Sequence, residues 1–570
     1  MASTNATSAK TAPVFHPTMS DEKMIESVSQ LKEEVSGMFE ACKNAMEKMN
    51  LVDVLQRLGI DRHFEKQITS TLSSIHSAEF DSSSLHEVSL RFRLLRQKGV
   101  WVSADEFNRF KNEDGRFHSD VTTDPKALLS LYNAAYLLTH DEKTLEEALL
   151  FARGHLELMR SSFKSPFAEQ VSRALQIPLA RTLKRVEAIS YIPEYKHEQT
   201  YSPAILELAK LDFNLLQRLH QKERQGISLW WNELSRDIGL DYVRDRIVEC
   251  YFWSYTVHYE EEYARARMIL AKLFMLTSLL DDTYDVHATL EECRDLHKAV
   301  ERWDESDVSL LPEYLKKFFL KVISNFREFE DELEPHEKYR NTYNIKGEAE
   351  WFHNNYIPNF KEQVNVSTIT AGGQVLSVGL LVGMGDVATK EAFEWAIGNS
   401  DAIRACGEVS RFMDDMSAFK NGRNKMDVAS SVECYIKEHN VTSEVALIKI
   451  GSMVEDAWKT INQAPFKHRA LLPVVQRVTN LAKSMTLLFL DKRDAYTYSK
   501  DFKEDVGQPF RQSYPPLILE SYGRVRNAQE IAHPLSYHPV SACQPPIPSN
   551  SKAEHKCKTS VIFLHCTSLI

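Results

Sequence analysis

The 570-residue sequence lacks any apolar run of roughly 18 residues, the length that a membrane-spanning helix requires. It also lacks an excess of basic residues, since 69 Lys and Arg are opposed by 80 Asp and Glu for a formal net charge of -11. This charge argues against a general nucleic-acid binder, which needs many cations to neutralise phosphates. An anionic small molecule is compatible with it, because metal ions or a few placed cations suffice to bind one.

Signals for secretion and for disulfide formation are also missing. Residues 1–17 are polar, without the apolar segment of a secretory signal, and shorter than an ordinary plastid transit peptide. The eight Cys are scattered and form no C-x-x-C pair. We therefore expect a cytoplasmic protein whose thiols stay reduced.

Glycine is sparse, with 19 residues, and no segment shows the sustained apolar and polar alternation of a half-buried strand. Residues 145–153 and 206–216 instead place apolar side chains at the i, i+3, i+4 and i+7 positions of a helix. The sequence therefore predicts an all-α protein, and its length allows two sizeable cores.

Prolines near residues 193 and 203 mark a predicted boundary between two helical domains, 18–200 and 201–505. The first domain shows no cluster of catalytic residue types, whereas the second contains all of those described below. Residues 1–17 are predicted to be disordered. Prolines crowd the segment 506–570, which lacks helical periodicity and is predicted to be an irregular or disordered tail.

An acidic cluster follows directly after an apolar segment. Residues 271–280 are apolar nearly all round, which is typical of a helix buried in a bundle, and they lead into Asp281, Asp282 and Asp285. Side chains three or four residues apart share a helix face, so these carboxylates repel one another unless a cation compensates them. Mg2+ binds carboxylate oxygens and bridges them to substrate phosphates. We interpret the cluster as a metal site, and a solvated acidic helix end is the alternative.

Cationic and aromatic residues accompany this cluster. Arg244 and Arg246 precede an apolar segment that contains Trp253, and Arg411 lies shortly before a second acidic pair that begins at Asp414. Guanidinium groups offer forked donors that suit phosphate oxygens. Considered singly, Arg244 and Arg246 are more typical of surface salt bridges, and Trp253 is typical of a core aromatic residue.

In order and spacing these groups resemble the plant class I terpene synthases, and most of all the sesquiterpene synthases of flowering plants. The resemblance runs from about residue 15 to about residue 505. The segments that carry it are Arg244 with Arg246 for the R-x-R motif, 281–285 for the D-D-x-x-D motif, Arg411 with Asp414 for the start of the second metal motif, 85–97 for a recurrent N-terminal-domain segment, and 494–496 for the loop that caps the active site.

This resemblance implies two α-helical domains, of which the C-terminal one is a class I terpenoid synthase helical bundle. It implies an enzyme that ionises farnesyl diphosphate with Mg2+, cyclises or rearranges the resulting cation, and releases a sesquiterpene and diphosphate. Three Mg2+ ions are expected, with Mn2+ as a substitute, and a prenyl diphosphate is the expected ligand of a monomeric protein. Geranyl diphosphate is the expected secondary substrate.

The resemblance also assigns roles to individual residues. The implied metal ligands are Asp281 and Asp285, supported by Asp282. The implied diphosphate-binding residues are Arg244, Arg246 and Arg411. The residues implied to stabilise the cation are Trp253 and Tyr496. A helix break that exposes backbone carbonyls to the substrate is implied at Thr370, Ala371, Gly372 and Gly373, and a pair of glycines inside a helical segment favours such a break independently.

The second metal motif departs from the family pattern. The ligands expected four and eight residues after Asp414 are replaced by Ala418 and Gly422. At about 100° per residue, Ser417 and Asn421 project from the same helix face as Asp414. Our hypothesis is that Asp414, Ser417 and Asn421 hold the remaining Mg2+. The alternative is a weak site, and hence a slow or inactive homologue.

Three other functions make different demands on the sequence. A monoterpene synthase would act on geranyl diphosphate, which the motifs allow. A prenyl-chain-elongating synthase needs a second complete D-D-x-x-D motif, and Ala418 stands where its last aspartate belongs. A helical repeat scaffold needs an internal period of roughly 34 to 47 residues, which is not visible.

Overall fold

The computed structural model describes residues 19–199, 201–239, 242–283, 287–302, 305–331, 359–371, 373–398, 400–421, 430–496 and 513–514. Within these ranges the chain forms α-helices and short 3-10 turns, and the β structure is limited to an isolated bridge between Lys111 and Phe117. This confirms the all-α prediction. No helix in the described part is long and apolar enough to cross a membrane.

Between residues 19 and 199, the N-terminal domain packs eight α-helices around a core of aliphatic and aromatic side chains. They are α1 (Met19–Ala41), α2 (Ala45–Arg57), α3 (Glu65–Ser77), α4 (Leu85–Gln97), α5 (Pro125–Ala135), α6 (Lys143–Met159), α7 (Phe167–Gln176) and α8 (Lys184–Tyr195). The 3-10 turns of this domain are Asp61–Phe64, Ala104–Phe110, Ser119–Thr123, Arg160–Ser162 and Leu179–Arg181.

The C-terminal domain is a second helical bundle with its own core. Its described helices are α9 (Pro203–Ile238), α10 (Ile247–Val257), α11 (Ala264–Asp282), α12 (Leu290–Arg302), α13 (Glu313–Asp331), α14 (Phe360–Thr370), α15 (Gly373–Leu381), α16 (Lys390–Ile397), α17 (Asp401–Lys420), α18 (Ser431–His439), α19 (Ser443–Lys467) and α20 (Leu472–Leu488). The described 3-10 turns are Glu261–Tyr263, Glu305–Leu310, Gly385–Val387, Arg469–Leu471 and Leu490–Lys492.

Helix α9 has clear signals at both ends. The Ser202 hydroxyl accepts a hydrogen bond from the backbone N–H of Ile205, and Pro203 occupies the first turn, where its missing N–H has no partner to lose. Gly239 ends the helix with φ of 72°, in the left-handed region that glycine adopts without strain. These signals set the 36-residue length of the helix.

The same helix joins the two domains. Up to Phe213 its apolar face belongs to the N-terminal core, and from Leu216 onwards it belongs to the C-terminal core. The side chains of α9 therefore change from one core to the other between Phe213 and Leu216, and the domain boundary at residue 200 stays a prediction. Pro193, which we read as an interruption, lies inside α8. A continuous amphipathic pattern shows that a helix has a buried face but not which core covers each part of it.

Helix α19 attaches the C-terminal domain to the N-terminal one. Arg181 donates two hydrogen bonds to Glu455, one of them 2.8 Å long. The side-chain amide of Asn462 donates to the carbonyl oxygens of Tyr136 and Leu138, each at 2.9 Å. Because α19 also packs along α17, the helix that anchors the domains supports the second predicted metal motif.

Close packing brings together the helices that carry the two predicted motifs. Helix α15 packs on both α11 and α17. At Gly379 of α15, a Cβ atom would overlap the side chain of Leu273 of α11. At Gly407 of α17, a Cβ atom would lie 2.6 Å from the carbonyl oxygen of Thr368. These glycines permit the close approach of neighbouring helices, since interiors leave no room for added atoms.

Two residues of the predicted tail are described, and they contact the N-terminal core. The Tyr514 ring lies edge-on to Phe213 at 5.2 Å, and its hydroxyl donates to the carbonyl oxygen of Ile189 at 2.7 Å. Its backbone exchanges hydrogen bonds of 2.6 and 3.0 Å with the Asn214 side chain. The predictions for 1–17 and for the rest of 506–570 concern residues outside the described ranges.

A buried charge cluster joins the turn Asp61–Phe64 to α9. Asp212 is 3% exposed, pairs with Arg62, and lies 2.7 Å from His63 Nε2 and 3.8 Å from Arg185 Nη1. Burial by itself raises the pKa of Asp212, but Arg62 and the other cations outweigh it and lower the pKa to about 2. Because the folded pKa lies below the unfolded one, this stabilisation is present above about pH 4 and is lost as the pH falls towards 2.

The substitution Asp212→Asn is expected to lower the free energy of unfolding at neutral pH by about 2 kcal/mol and to flatten its decline in acid. Urea unfolding from about pH 7 down to about pH 2.5 measures this effect. The substitution Asp120→Asn makes the same chemical change at an exposed position and serves as control. An unaltered acid profile in the Asp212 variant would contradict the prediction.

Candidate active site

A buried carboxylate joins the C-terminal end of α11 to the segment before α10. Asp282 is 1% exposed. Its Oδ2 accepts a hydrogen bond from the backbone N–H of Arg244, and its Oδ1 accepts one from Arg244 Nη2, each at 2.9 Å. Arg246 Nη1 lies 4.0 Å from the same Oδ1. The R-x-R and aspartate motifs therefore meet at Asp282.

This geometry distinguishes the aspartates of the first motif. The Asp282 carboxylate is directed at the arginines, which suits the supporting role that we predict for it. Asp281 belongs to the last turn of α11, but its side chain is not described, and Asp285 lies outside the described residues. The Arg244 side chain is 49% exposed whereas its partner Asp282 is buried, so this salt bridge joins the surface to the interior.

An aromatic pair that the sequence prediction missed lies beside this cluster. The hydroxyl of Tyr242 is 2.9 Å from Thr283 Oγ1, at the residue after Asp282. The Tyr242 ring stacks on His287, with centroids 4.0 Å apart and ring planes 3° from parallel. Tyr242 stands two residues before Arg244, so its place beside the R-x-R motif was the available signal. Tyr242 therefore contacts both Thr283 and His287, the described residues that follow Asp282.

Three aromatic rings form a wall next to the arginines. Trp253 is 6% exposed and stacks on Phe274 at 4.5 Å, and Tyr496 lies edge-on to it at 5.2 Å. The Arg246 guanidinium lies over the Tyr496 ring, 5.0 Å from its centroid. Burial raises the pKa of the Tyr496 phenol, so the hydroxyl stays protonated. Trp253 is thus a core residue that also lies next to the predicted site. Phe274 is the ring of this wall that the sequence prediction missed.

The second acidic pair divides into two different roles. Arg411 Nη1 lies 3.3 Å from Asp414 Oδ2 and 3.4 Å from Asp415 Oδ1. Asp415 is buried and accepts a hydrogen bond of 2.8 Å from the backbone N–H of Ser431, in the first turn of α18. The Asp414 side chain is 40% exposed. Asp415 therefore stabilises the start of α18, and Asp414 is the carboxylate left accessible to a ligand.

The two substitute ligands of this motif differ in burial. Ser417 is fully buried within α17. Asn421 is exposed at the C-terminal cap of the same helix, and its backbone N–H donates to the Ser417 carbonyl oxygen at 3.1 Å. Gly422 lies outside the described residues. That Asp414, Ser417 and Asn421 share one ion remains a prediction, and Asn421 is the more accessible partner of Asp414.

The helix break and the capping segment lie between the two motifs. Helix α14 ends at Thr370 and α15 begins at Gly373, so the helix is interrupted where the glycine pair predicts. The side chain of Thr370 is not described. The turn Leu490–Lys492 packs on α17, and Tyr496 reaches Ser278 of α11 through its hydroxyl. One segment thus contacts both motif-bearing helices.

The donors at this site are oxygen atoms of carboxylates, with a hydroxyl and an amide in the second motif. Such hard ligands suit Mg2+ and Mn2+ better than softer metals. Among the side chains that the structure describes, no three of His, Cys, Asp or Glu are gathered as a metal site. Two of the three predicted ligands of the first motif fall outside that set.

Family models and known proteins are similar to most of this chain. Residues 4–175 match the family described as terpene synthase, N-terminal domain, and residues 232–460 match the terpene synthase family, metal binding domain. The chain is 71% identical over 545 residues to a tau-cadinol synthase of Zea mays, covering 90% of this chain and 100% of the relative. It is 61% identical over 513 residues to an alpha-copaene synthase of Zea mays, covering 86% and 95%.

Solved structures share the fold. An isoprene synthase from grey poplar leaves, in complex with three Mg2+ ions and dimethylallyl-S-thiolodiphosphate, superposes with a TM-score of 0.78 at 28% identity, covering 87% of this chain and 98% of that one. A limonene synthase with 2-fluorolinalyl diphosphate gives a TM-score of 0.79 at 26% identity, covering 87% and 95%. The resemblance seen in the motifs is confirmed, and the chain belongs to the terpene synthase family.

Proposed function

We propose that this terpene synthase ionises farnesyl diphosphate in a Mg2+-dependent reaction and converts the cation into a sesquiterpene. The meeting of Arg244, Arg246 and Asp282 beside the wall of Trp253 and Tyr496 carries this proposal. It places cations suited to a diphosphate next to aromatic faces suited to a carbocation. The relatives named tau-cadinol synthase and alpha-copaene synthase support the choice of a C15 substrate.

The arginines bind and orient the leaving group. As the carbon–oxygen bond of the substrate breaks, negative charge grows on the diphosphate, and in this proposal Arg244, Arg246 and Arg411 stabilise it. Such stabilisation is strong where water is excluded, since the groups are already oriented when the charge appears. Asp282 holds Arg244 in position through a charged hydrogen bond.

The proposed metal ligands are Asp281 and Asp285 on one side, and Asp414, Ser417 and Asn421 on the other. When bound, Mg2+ neutralises the charge of the diphosphate. The oxygen donors fit this ion. Three ions, as in the isoprene synthase complex, are part of the proposal for this chain.

The aromatic wall acts on the other product of ionisation. Trp253 and Tyr496 present ring surfaces that stabilise a cation by electrostatic attraction. Trp253, Phe274 and Tyr496 also exclude water, which would capture the cation before it cyclises. Cyclisation ends when a proton leaves the cation or a nucleophile adds to it.

Incubation of the purified protein with farnesyl diphosphate and Mg2+, followed by gas chromatography and mass spectrometry, tests the proposal. We expect sesquiterpene product, loss of product with EDTA, and recovery on adding Mg2+. A parallel incubation with geranyl diphosphate measures the secondary activity. If neither substrate gives product under conditions in which an established synthase is active, the inactive-homologue alternative is favoured.

The second metal motif makes a separate prediction. Asn421→Ala is expected to raise the Mg2+ concentration for half-maximal activity by about tenfold, because it removes an oxygen donor. Ser417→Ala is expected to act in the same direction, because it removes the hydroxyl donor of the proposed site. Ser452→Ala removes an exposed hydroxyl on α19 and serves as control. Unchanged Mg2+ dependence in both variants would refute the substitute ligands.

A further inference from the structure

We propose that Ser278 is a positioning residue that holds Tyr496 against α11 and so determines how the carbocation is terminated. The inference rests on the proposed function, because it concerns the fate of the cation formed there. It assigns a role to a side chain outside the aspartate, arginine and aromatic motifs.

Ser278 lies one helical turn before Asp282, on the face of α11 that leads to the aspartate motif. It is 6% exposed. Its hydroxyl oxygen is hydrogen-bonded to the phenol oxygen of Tyr496. The bond therefore ties a residue 218 positions away to the helix that carries the first predicted metal ligands.

Tyr496 is held at both of its ends. On the backbone side, the N–H of Ala495 donates to the carbonyl oxygen of Leu488 at 3.0 Å, and Ala495 is buried. At the tip, the phenol contacts Ser278 and lies 3.7 Å from Cys250 Sγ. A thiol is a weak hydrogen-bonding group, so Ser278 is the strong partner. With backbone and hydroxyl both fixed, the ring has little freedom to turn.

The ring that Ser278 fixes is the one that touches the rest of the site. It lies edge-on to Trp253 at 5.2 Å, and the Arg246 guanidinium lies over its face at 5.0 Å. Among the described residues, loss of the Ser278 hydroxyl would leave the Tyr496 phenol with the Cys250 thiol as its hydrogen-bonding partner. An underbonded buried hydroxyl is costly, so the ring is expected to shift towards water.

Such a shift admits water next to the cation. The oxygen of a water molecule then forms a bond to the cationic carbon, and a proton passes to a diphosphate oxygen, which yields an alcohol. Because this capture precedes ring closure, Ser278→Ala is expected to raise the share of acyclic sesquiterpene alcohols several-fold. The KM for farnesyl diphosphate is expected to change less than the product ratio, because Arg246, which lies over the Tyr496 ring, also lies beside Asp282.

The test compares product ratios, kcat and KM of the full-length protein with those of Ser278→Ala, Tyr496→Phe and the double variant, using farnesyl diphosphate and Mg2+. If the hydrogen bond between the two hydroxyls determines the product ratio, each single variant already removes it. The double variant should then have the product ratio of a single variant, because the effects of substitutions at contacting residues do not add. Ser278→Thr keeps the hydroxyl and should restore the native product ratio. Ser484→Ala removes a hydroxyl that is buried in α20 and bonded to its own helix, and should leave the ratio unchanged.

Native product ratios in folded Ser278→Ala, or additive shifts in the double variant, would overturn the inference. If Ser278→Ala does not fold, Tyr496→Phe removes the same hydrogen bond from the other side. A native product ratio in Tyr496→Phe would likewise overturn the inference. If the unsubstituted protein forms no product from farnesyl diphosphate, the proposed function is refuted instead. The two failures are therefore distinguishable.

Discussion

Replacing Arg267 by methionine is expected to lower the free energy of unfolding by about 3–5 kcal/mol. Arg267 and Glu223 are both 0% exposed and are joined by hydrogen bonds of 2.6 and 2.7 Å. Arg267 Nη1 also donates to the carbonyl oxygens of His258 and Glu260, at 2.7 and 2.8 Å. The methionine variant leaves the Glu223 carboxylate and both carbonyls without this donor in the core. Urea unfolding followed by circular dichroism measures the loss.

A matched substitution separates burial from charge. Arg153→Met removes an exposed arginine paired with Glu157 on the same helix, and should change stability by less than about 1 kcal/mol. The double variant Arg267→Met with Glu223→Gln removes the isolated charge and should recover part of the stability. A loss for Arg267→Met as small as that for Arg153→Met would show that the buried pair is not needed for folding.

The substitution Asp282→Ala is expected to reduce kcat/KM for farnesyl diphosphate by about 100- to 1000-fold. The change removes a carboxylate of the aspartate motif and releases Arg244 and Arg246 from their shared partner. The arginines then lose the orientation that stabilises charge on the leaving diphosphate. Release of diphosphate and formation of terpene, measured together, report the effect.

Asp282→Asn keeps an oxygen that accepts from the Arg244 backbone but removes the negative charge, so an intermediate loss is expected. Asp295→Ala changes an aspartate of α12 that pairs with Lys298 at the surface, and should leave activity unchanged. Full activity of Asp282→Asn would mean that hydrogen bonding, and not charge, accounts for the role of Asp282. Full activity of Asp282→Ala would remove it from the site.

The short-range features of this fold follow from amino-acid order. The apolar residues before Asp281 predict a buried helix, and α11 is one. The glycine pair predicts the interruption between α14 and α15. Both predictions depend on neighbouring residues, whose backbone geometry and side-chain direction are determined within one or two helical turns.

The roles of individual charged residues were less accessible to prediction. The two aspartates that follow Met413 are adjacent and chemically identical, yet Asp415 is bonded to the first turn of α18 while the Asp414 side chain is 40% exposed. That difference depends on where another helix begins in space. In the same way, burial separates Ser417 from Asn421 although an ideal helix places both on the side of Asp414.

Family, helical class and the residues of the aspartate, arginine and aromatic motifs can all be predicted from amino-acid order alone, because each depends on local spacing. Tertiary packing determines which side chains form hydrogen bonds. Asp282 is bonded to Arg244, 38 residues away in the sequence, and Ser278 to Tyr496, 218 residues away. Packing also divides the two cores inside α9. The physical reason is that a hydrogen bond or a shared core depends on distances in space, and these exist only once the helices have packed together.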